Sequence, residues 1–280
     1  MLASVSSSFQ SMYQMRTHKI HRFKPKVEIF KEIGPYVLKT ASTIEELKSA
    51  LKLRYEVFHH EMIGKKNPTG IDVDEFDLYC DHLIIINKKT NRLVGTYRLN
   101  SSLYSKSFYS AREFDLKNIL SHSGNKLELG RACIQKEFRN GITISLLWGG
   151  IAEYMIATDS QIVFGCASIK TENPREAALI YRYLESEGSI SKTFDSPPTE
   201  EFTLPQLKLW LRLIKSPVTE VEQKEVKDLL PSLFQTYRKI GAVVAGEPAW
   251  DEEFHCIDFL TVMKREDLSR VLWRKYRFND

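Results

Sequence analysis

Arg98 sits near the end of an apolar strand, Leu93-Val94-Gly95-Thr96-Tyr97-Arg98-Leu99. Glu128 and Arg131 interrupt another, Leu127-Glu128-Leu129-Gly130-Arg131-Ala132-Cys133-Ile134. A charge on a segment that otherwise reads as core is costly to bury unless it is paired or serves a site. Earlier in the chain further charges follow in order. Arg54 lies in Leu53-Arg54-Tyr55-Glu56-Val57-Phe58, and the acidic run Asp72-Val73-Asp74-Glu75-Phe76-Asp77 comes next. Chemistry is to be sought there first.

The 280 residues suffice for one large domain or two small ones. With 42% hydrophobic and 27% charged residues the chain is globular rather than disordered. A net charge of +4 permits an acidic protein or membrane partner but is too weak to imply nucleic acid. Cys80, Cys133, Cys166 and Cys256 lie far apart with no CxxC pair, which argues for reduced thiols and against a zinc or disulfide framework. Cys80-Asp81-His82 is a ligand cluster only on paper, because consecutive strand residues point to opposite faces. No metal is expected. The longest apolar stretch, Ile142 to Ala157, contains Glu153 and is too short to span a bilayer. The Ser-rich start lacks the pattern of a secretory signal, so a cytoplasmic protein is expected.

Residues 1–35 read as a basic N-terminal extension, with Arg16, Lys19, Arg22, Lys24 and Lys26 interleaved with Ile20 and Phe23. Such an arm suits an anionic membrane surface, or is simply a poorly ordered terminus. A strand at Tyr36–Lys39 precedes a helix that starts at Ser42 or Thr43, with Glu45 and Glu46 in its first turn. Leu83–Asn87 and Leu93–Asn100 form a hairpin across Lys88-Lys89-Thr90-Asn91. Tyr109 to Leu120 reads as a helix, Leu127–Ile134 as a strand, Thr143–Ala157 as a helix and Ile162–Ala167 as a strand. A helix follows over Pro174–Glu187. A helical and loop insertion occupies 190–232, His255–Val262 is a closing strand, and Asp267 to Phe278 reads as an amphipathic basic helix. The alternation predicts an α/β fold with one mixed central sheet and helices on both faces, residues 36–280 making a single domain.

Several stretches together resemble a known family. They are Leu53 to Phe58, Asp74-Glu75-Phe76-Asp77-Leu78-Tyr79-Cys80-Asp81-His82-Leu83, Val94 to Leu99, and Phe108-Tyr109-Ser110-Ala111-Arg112-Glu113-Phe114-Asp115. Leu127 to Cys133, Leu146-Leu147-Trp148, Gly165-Cys166-Ala167-Ser168, Tyr237 to Ala242 and Phe254 to Asp258 continue the series. The chain resembles the GNAT-fold acyltransferases of the ornithine-lipid type, which are acyl-carrier-protein-dependent N-acyltransferases. The charges also resemble those of the acyl-homoserine-lactone synthases, with Asp72 where Glu is usual there. Two departures stand out: Ala132 replaces a small hydroxyl residue, and Arg139–Ile144 lacks a clean CoA-type glycine run, which favours a carrier-protein donor.

The resemblance implies attack of a free amine on an acyl thioester, with acyl-carrier protein as partner, an amino acid as acceptor and no bound cofactor. Ornithine leads the acceptors, and the acyl chain is long and 3-hydroxylated. An ammonium cannot attack, so a carboxylate must take its proton, and Glu128 is the first choice. A backbone N–H near Arg131–Cys133 would stabilise the oxyanion. Arg131 and Asp77 are placed with Glu128 as catalytic, and Arg54, Phe58, Asp72, Asp74 and Arg98 as substrate-binding. The competing accounts are an ion pair of Glu128 with Arg131 or Arg98, an acidic loop of Asp72, Asp74 and Asp77 capping a helix or strand, and arginines that hold the acids in place. Cys133, Arg139, Gly141 and Thr143 are assigned to the donor's phosphopantetheine, because the turn at 138–143 opens a helix whose N–H groups suit a phosphate. Cys133 reads as buried filler rather than a nucleophile, and Phe58 and Trp148 as core more readily than as acyl-tunnel lining. An autoinducer synthase and a non-catalytic acyl-carrier or membrane-binding module are the alternatives. Peripheral contact with an anionic membrane is expected.

Overall fold

The computed structural model describes residues 23–64 and 69–267, so the tail helix expected beyond 267 and the arm before residue 23 lie outside the described residues. The described chain divides into two compact units, 23–105 with 129–158, and 106–128 with 159–267.

In the first unit β1 (Phe30–Ile33) and β2 (Tyr36–Thr40) form a hairpin about Gly34, whose φ of 54° favours glycine. Next come β3 (Asp81–Asn87) and β4 (Arg92–Ser101), antiparallel, then part of β5 (Asn125–Ile134). Helix α1 (Ile44–Tyr55) is capped by Thr43, whose side chain accepts from the Glu46 N–H, while Glu46 reaches back to the Ser42 N–H. Its Leu47 and Leu51 pack on Ile84. The helix then widens into a π-helical stretch, Glu56–Ile63. A later α-helix of this unit (Gly141–Ala157), labelled α3 below, lies on the opposite face of β3: a Cβ on its Gly150 would meet Leu83 at 2.7 Å. Only glycine permits that approach.

Residues 23–35 were expected in a loose extension, and the structure builds them in. Phe23, Val27 and Ile29 are buried. The Lys26 and Val27 N–H groups donate to Asp81, and Thr40 bonds both Val27 O and Ile29 N. Asp81 also accepts from the Tyr154 hydroxyl.

In the second unit the first half of β5 pairs in parallel with β6 (Ser160–Ile169), from Asn125↔Ser160 to Glu128↔Phe164. β6 runs antiparallel to β9 (Cys256–Lys264), and β7 (Val243–Val244) and β8 (Ala249–Asp251) pair with β9. Alternation along β6 and β9 sends Ala167, Ile169, Ile257 and Phe259 toward a core shared with α4 (Pro174–Ser186), α5 (Leu207–Leu213), α6 (Glu220–Leu229) and α7 (Ser232–Lys239). Phe164, Leu260 and Val262 face the other way, against Phe108, Phe114 and Ile119 of a segment ending in α2 (Lys117–Ser121). Both faces are therefore covered, and the α/β class with mixed pairing is what the chain has.

The helix expected over 109–120 is broken into a 3-10 turn, Tyr109–Arg112, and α2. Between them the backbone is spent elsewhere: Asp115 N donates to Pro197 O and Thr199 N to Glu113 O. Among the described residues no helix is long and apolar enough to cross a membrane.

Candidate functional site

Six of the charges singled out in the sequence converge within the first unit. Arg54, on α1 and 0% exposed, donates from Nε to Asp72 Oδ2 at 2.7 Å, and from Nη1 and Nη2 to the two oxygens of Asp77 at 2.6 and 3.1 Å. Arg98, on β4, donates from Nη1 to both oxygens of Asp74 at 2.7 Å and to Asp77 Oδ1 at 3.1 Å. Arg131, on β5, reaches Asp74 Oδ2 at 3.2 Å and Asp72 Oδ2 at 3.4 Å, with its guanidinium 5.8 Å from the centre of the Phe58 ring. Asp74 and Asp77 also cap a 3-10 turn, Glu75–Leu78, by exchanging side-chain and backbone bonds.

Three arginines thus face three aspartates. Burial pushes the Asp72 carboxyl up, but Arg54 and Arg131 overcome this and hold it well below the usual carboxylate range. Burial acts on Asp77 in the same way and is overcome by Arg54 and Arg98. His82, fully buried beside Asp77, is pushed down to about 4 by burial and stays neutral at pH 7. The acids expected to await a cationic substrate are already matched by cations: the arginines hold them in place, and Asp74 and Asp77 cap a turn, as the competing accounts have it. Within the network Arg131 carries strain. Its φ of 52° is left-handed, inside a strand, where a side chain costs about 1–3 kcal/mol unless its surroundings enforce it. The two aspartates and the Phe58 ring supply that enforcement.

Glu128 belongs to a different cluster, in the second unit. Its Oε2 accepts from the Tyr109 N–H at 3.0 Å and its Oε1 from the Ser110 N–H at 2.7 Å. It is 4% exposed, a buried carboxylate with both oxygens aimed by backbone. β5 and β6 pair up to this residue, Glu128↔Phe164 being the last matched position. Beside it the Cys166 thiol donates to Ser110 Oγ at 3.4 Å.

Residues 53–149 match the acetyltransferase (GNAT) domain family. The chain is 30% identical over 249 residues to an L-ornithine N(alpha)-acyltransferase of Agrobacterium fabrum, a match covering 84% of this chain and 83% of that protein. The chain belongs to the L-ornithine N(alpha)-acyltransferase family. A second relative of the same description, from Rhizobium meliloti, is 29% identical over 253 residues, with 85% and 83% covered. Among solved structures the acyltransferase is similar, at a TM-score of 0.48 and 9% identity, to FeeM, an N-acyl amino acid synthase from uncultured soil microbes, over 87% of this chain and 96% of that one.

The residues of this acyltransferase assigned to the donor are dispersed in their contacts. Asn140 caps α3, its side chain accepting from the Ile142 and Thr143 N–H groups and from the Thr143 hydroxyl, so part of the expected phosphate cradle is already satisfied. Arg139 donates to Glu61 and to the Ile134 carbonyl. Gly141 begins the helix in the open. Cys133 packs among Leu53, Val57 and Phe58, and burial pushes its thiol far up, which suits filler rather than a nucleophile.

The sequence reading passed over Glu113, Asp251 and Asp258. The ligand atoms of Glu113, Cys166 and Asp258 lie within 4.8 Å of one another, as do those of Asp251, Cys256 and Asp258. These two sets, sharing Asp258, are the donors among the described residues that could hold a metal ion. One signal was available: Asp258 interrupts the apolar run of β9, the same anomaly that marked Glu128.

Proposed function

We propose that the chain transfers a long, 3-hydroxylated fatty acyl group from an acyl-carrier-protein thioester to the α-amine of ornithine, forming a lyso-aminolipid. Glu128 carries this reading: a buried carboxylate fixed by two backbone N–H bonds, on a strand of a chain related over most of its length to L-ornithine N(alpha)-acyltransferases.

Glu128 takes a proton from the acceptor's ammonium, directly or through water. The amine nitrogen then attacks the thioester carbonyl, and a new C–N bond forms as the carbonyl oxygen gains charge. Backbone N–H groups of β5 near Arg131–Cys133 stabilise that oxyanion, the left-handed Arg131 turning the local backbone out of regular strand geometry. Collapse breaks the C–S bond, the departing thiolate takes up the proton that the attacking nitrogen sheds as it becomes an amide, and the proton held by Glu128 passes to solvent. No covalent enzyme intermediate is needed. Asp72, Asp74 and Asp77, with Arg54 and Arg98, act in this reading as positioning residues that hold Arg131 in its strained conformation. The turn Arg139–Thr143 takes the donor's phosphopantetheine, with Gly141 leaving room for close approach. The enzyme works in the cytoplasm, in peripheral contact with the anionic membrane that receives its product.

Purified full-length protein, incubated with acyl-carrier-protein thioesters and an amino-acid panel, should yield an N-acyl amino acid detectable by mass spectrometry, with ornithine the best acceptor. Acyl-homoserine lactone formed only with S-adenosylmethionine would replace this reading with autoinducer synthesis. Thioester binding with no amide from any acceptor would end the enzymatic one.

A further inference from the structure

Glu113 is 1% exposed, and no N–H or hydroxyl group of the protein donates to either of its carboxyl oxygens. A buried polar group in that state costs free energy, and such groups call for an explanation. The charges acting most strongly on it are those of Asp258 and Asp251, which are carboxylates rather than cations. Burial and the Asp258 carboxyl together push Glu113 well above the usual range, as two carboxyls sharing a buried site disfavour each other's ionisation. The Cys166 and Cys256 thiols are likewise pushed up and stay protonated. The result is a buried group of acids with low net negative charge, suited to a single positive charge with N–H donors.

Its position relative to Glu128 narrows the ligand. Ser110 bonds Glu128 through its N–H and receives the Cys166 thiol on its hydroxyl, while the Cys166 sulfur lies within 4.8 Å of the Glu113 and Asp258 oxygens. Glu128 and the acid pair are therefore linked through Ser110 and Cys166, two small side chains. We propose that the Glu113–Asp258 carboxyl pair binds the side-chain ammonium of a diamino-acid acceptor whose α-amine lies at Glu128, the aliphatic stem passing Ser110 and Cys166. The inference rests on the reading of Glu128 as the proton acceptor. It makes the acid pair the element that prefers a diamino acid to a neutral one of the same length.

The test compares ornithine with norvaline, which has the same stem without the second amine. In Glu113→Gln and Asp258→Asn the ratio of kcat/KM for ornithine over norvaline should fall about 10- to 100-fold, the loss expected for a charge-assisted hydrogen bond. Turnover that falls equally for both, leaving the ratio intact in a variant whose circular dichroism matches wild type, would overturn the proposal. If wild type acylates neither amino acid, the proposed reaction fails, and calorimetry decides the binding question separately. Ornithine should then bind wild type more tightly than norvaline does, and Glu113→Gln should remove the difference; equal binding of the two would overturn the inference. Stoichiometric zinc or another divalent metal in purified wild type, lost in both variants, would also overturn it, reassigning the carboxylates and thiols to a metal.

Discussion

The two clusters of buried charge are built from similar acids and treated differently by the fold. In the arginine–aspartate network each of Asp72, Asp74 and Asp77 meets at least one guanidinium at 2.7 Å or closer. Glu128 instead accepts from two backbone N–H groups, and Glu113 lies against the Asp258 carboxyl and the Cys166 thiol. A buried charge that is fully paired explains itself as structure, because removing either partner strands the other. A buried acid set chiefly against other carboxyls, as Glu113 is, is better explained by something the protein receives. That contrast is why the proposed reading gives the first cluster a positioning role and the second the proton transfer.

The largest effect should come from unbalancing the paired cluster. Asp77→Asn leaves Arg54 and Arg98 buried with too little negative charge, and losses on breaking a buried pair run to about 3–5 kcal/mol. Urea denaturation measures it, and a loss under about 1 kcal/mol, the range of exposed pairs, would show that the network is weakly coupled.

Next in size is the catalytic loss in the other cluster. Glu128→Gln should lower kcat by roughly 10² or more. The amide turns its NH₂ group toward a backbone N–H of Tyr109 or Ser110, which costs about 1–3 kcal/mol of stability. The two substitutions should therefore separate, one lost mainly in stability and the other mainly in turnover. Normal turnover in folded Glu128→Gln would move Glu128 into the structural class.

How much of this was legible follows the same physics. Arg98, Glu128 and Arg131 announced themselves because a charge breaks an apolar strand pattern wherever it occurs. The grouping of Arg54 with the acids followed from family resemblance, and its balanced pairing came only with the fold. Glu113 was hidden. It lies in a stretch that looked helical until Pro197 and Thr199, far along the chain, claimed its backbone bonds. Asp258 converges on it only through the β6–β9 register, which sets Ser168 opposite Asp258 and keeps Cys166 on the same face. The N-terminal anchor was hidden for another reason: Val27 and Ile29 sit among basic residues, and the pull comes from Asp81, which no local pattern reveals. At α3 the first-turn N–H groups looked available until Asn140 took two of them.

The subtlest difference between the clusters is a slope. Asp72 and Asp77 have folded values below their unfolded ones, so their contribution is complete above the ordinary aspartate value of about 3.9 and is lost as pH falls beneath it. Glu113 has the opposite sign. Its folded value is raised, so the folded state keeps a proton that the unfolded state sheds, and stability declines as pH climbs from about 4.3 toward the folded value. His82, pushed down to about 4, adds stability as pH rises from 4 toward its unfolded value of about 6.5, and would mask that decline in wild type alone. Glu113→Gln keeps His82 and removes the titration at 113, so subtracting one protein's unfolding free energy from the other's isolates the carboxyl. Measured in urea from pH 4 to pH 8, wild type should lose stability relative to Glu113→Gln as pH rises. A difference that stays flat would mean that the Glu113 carboxyl is ionised and compensated, and the two clusters would then be alike.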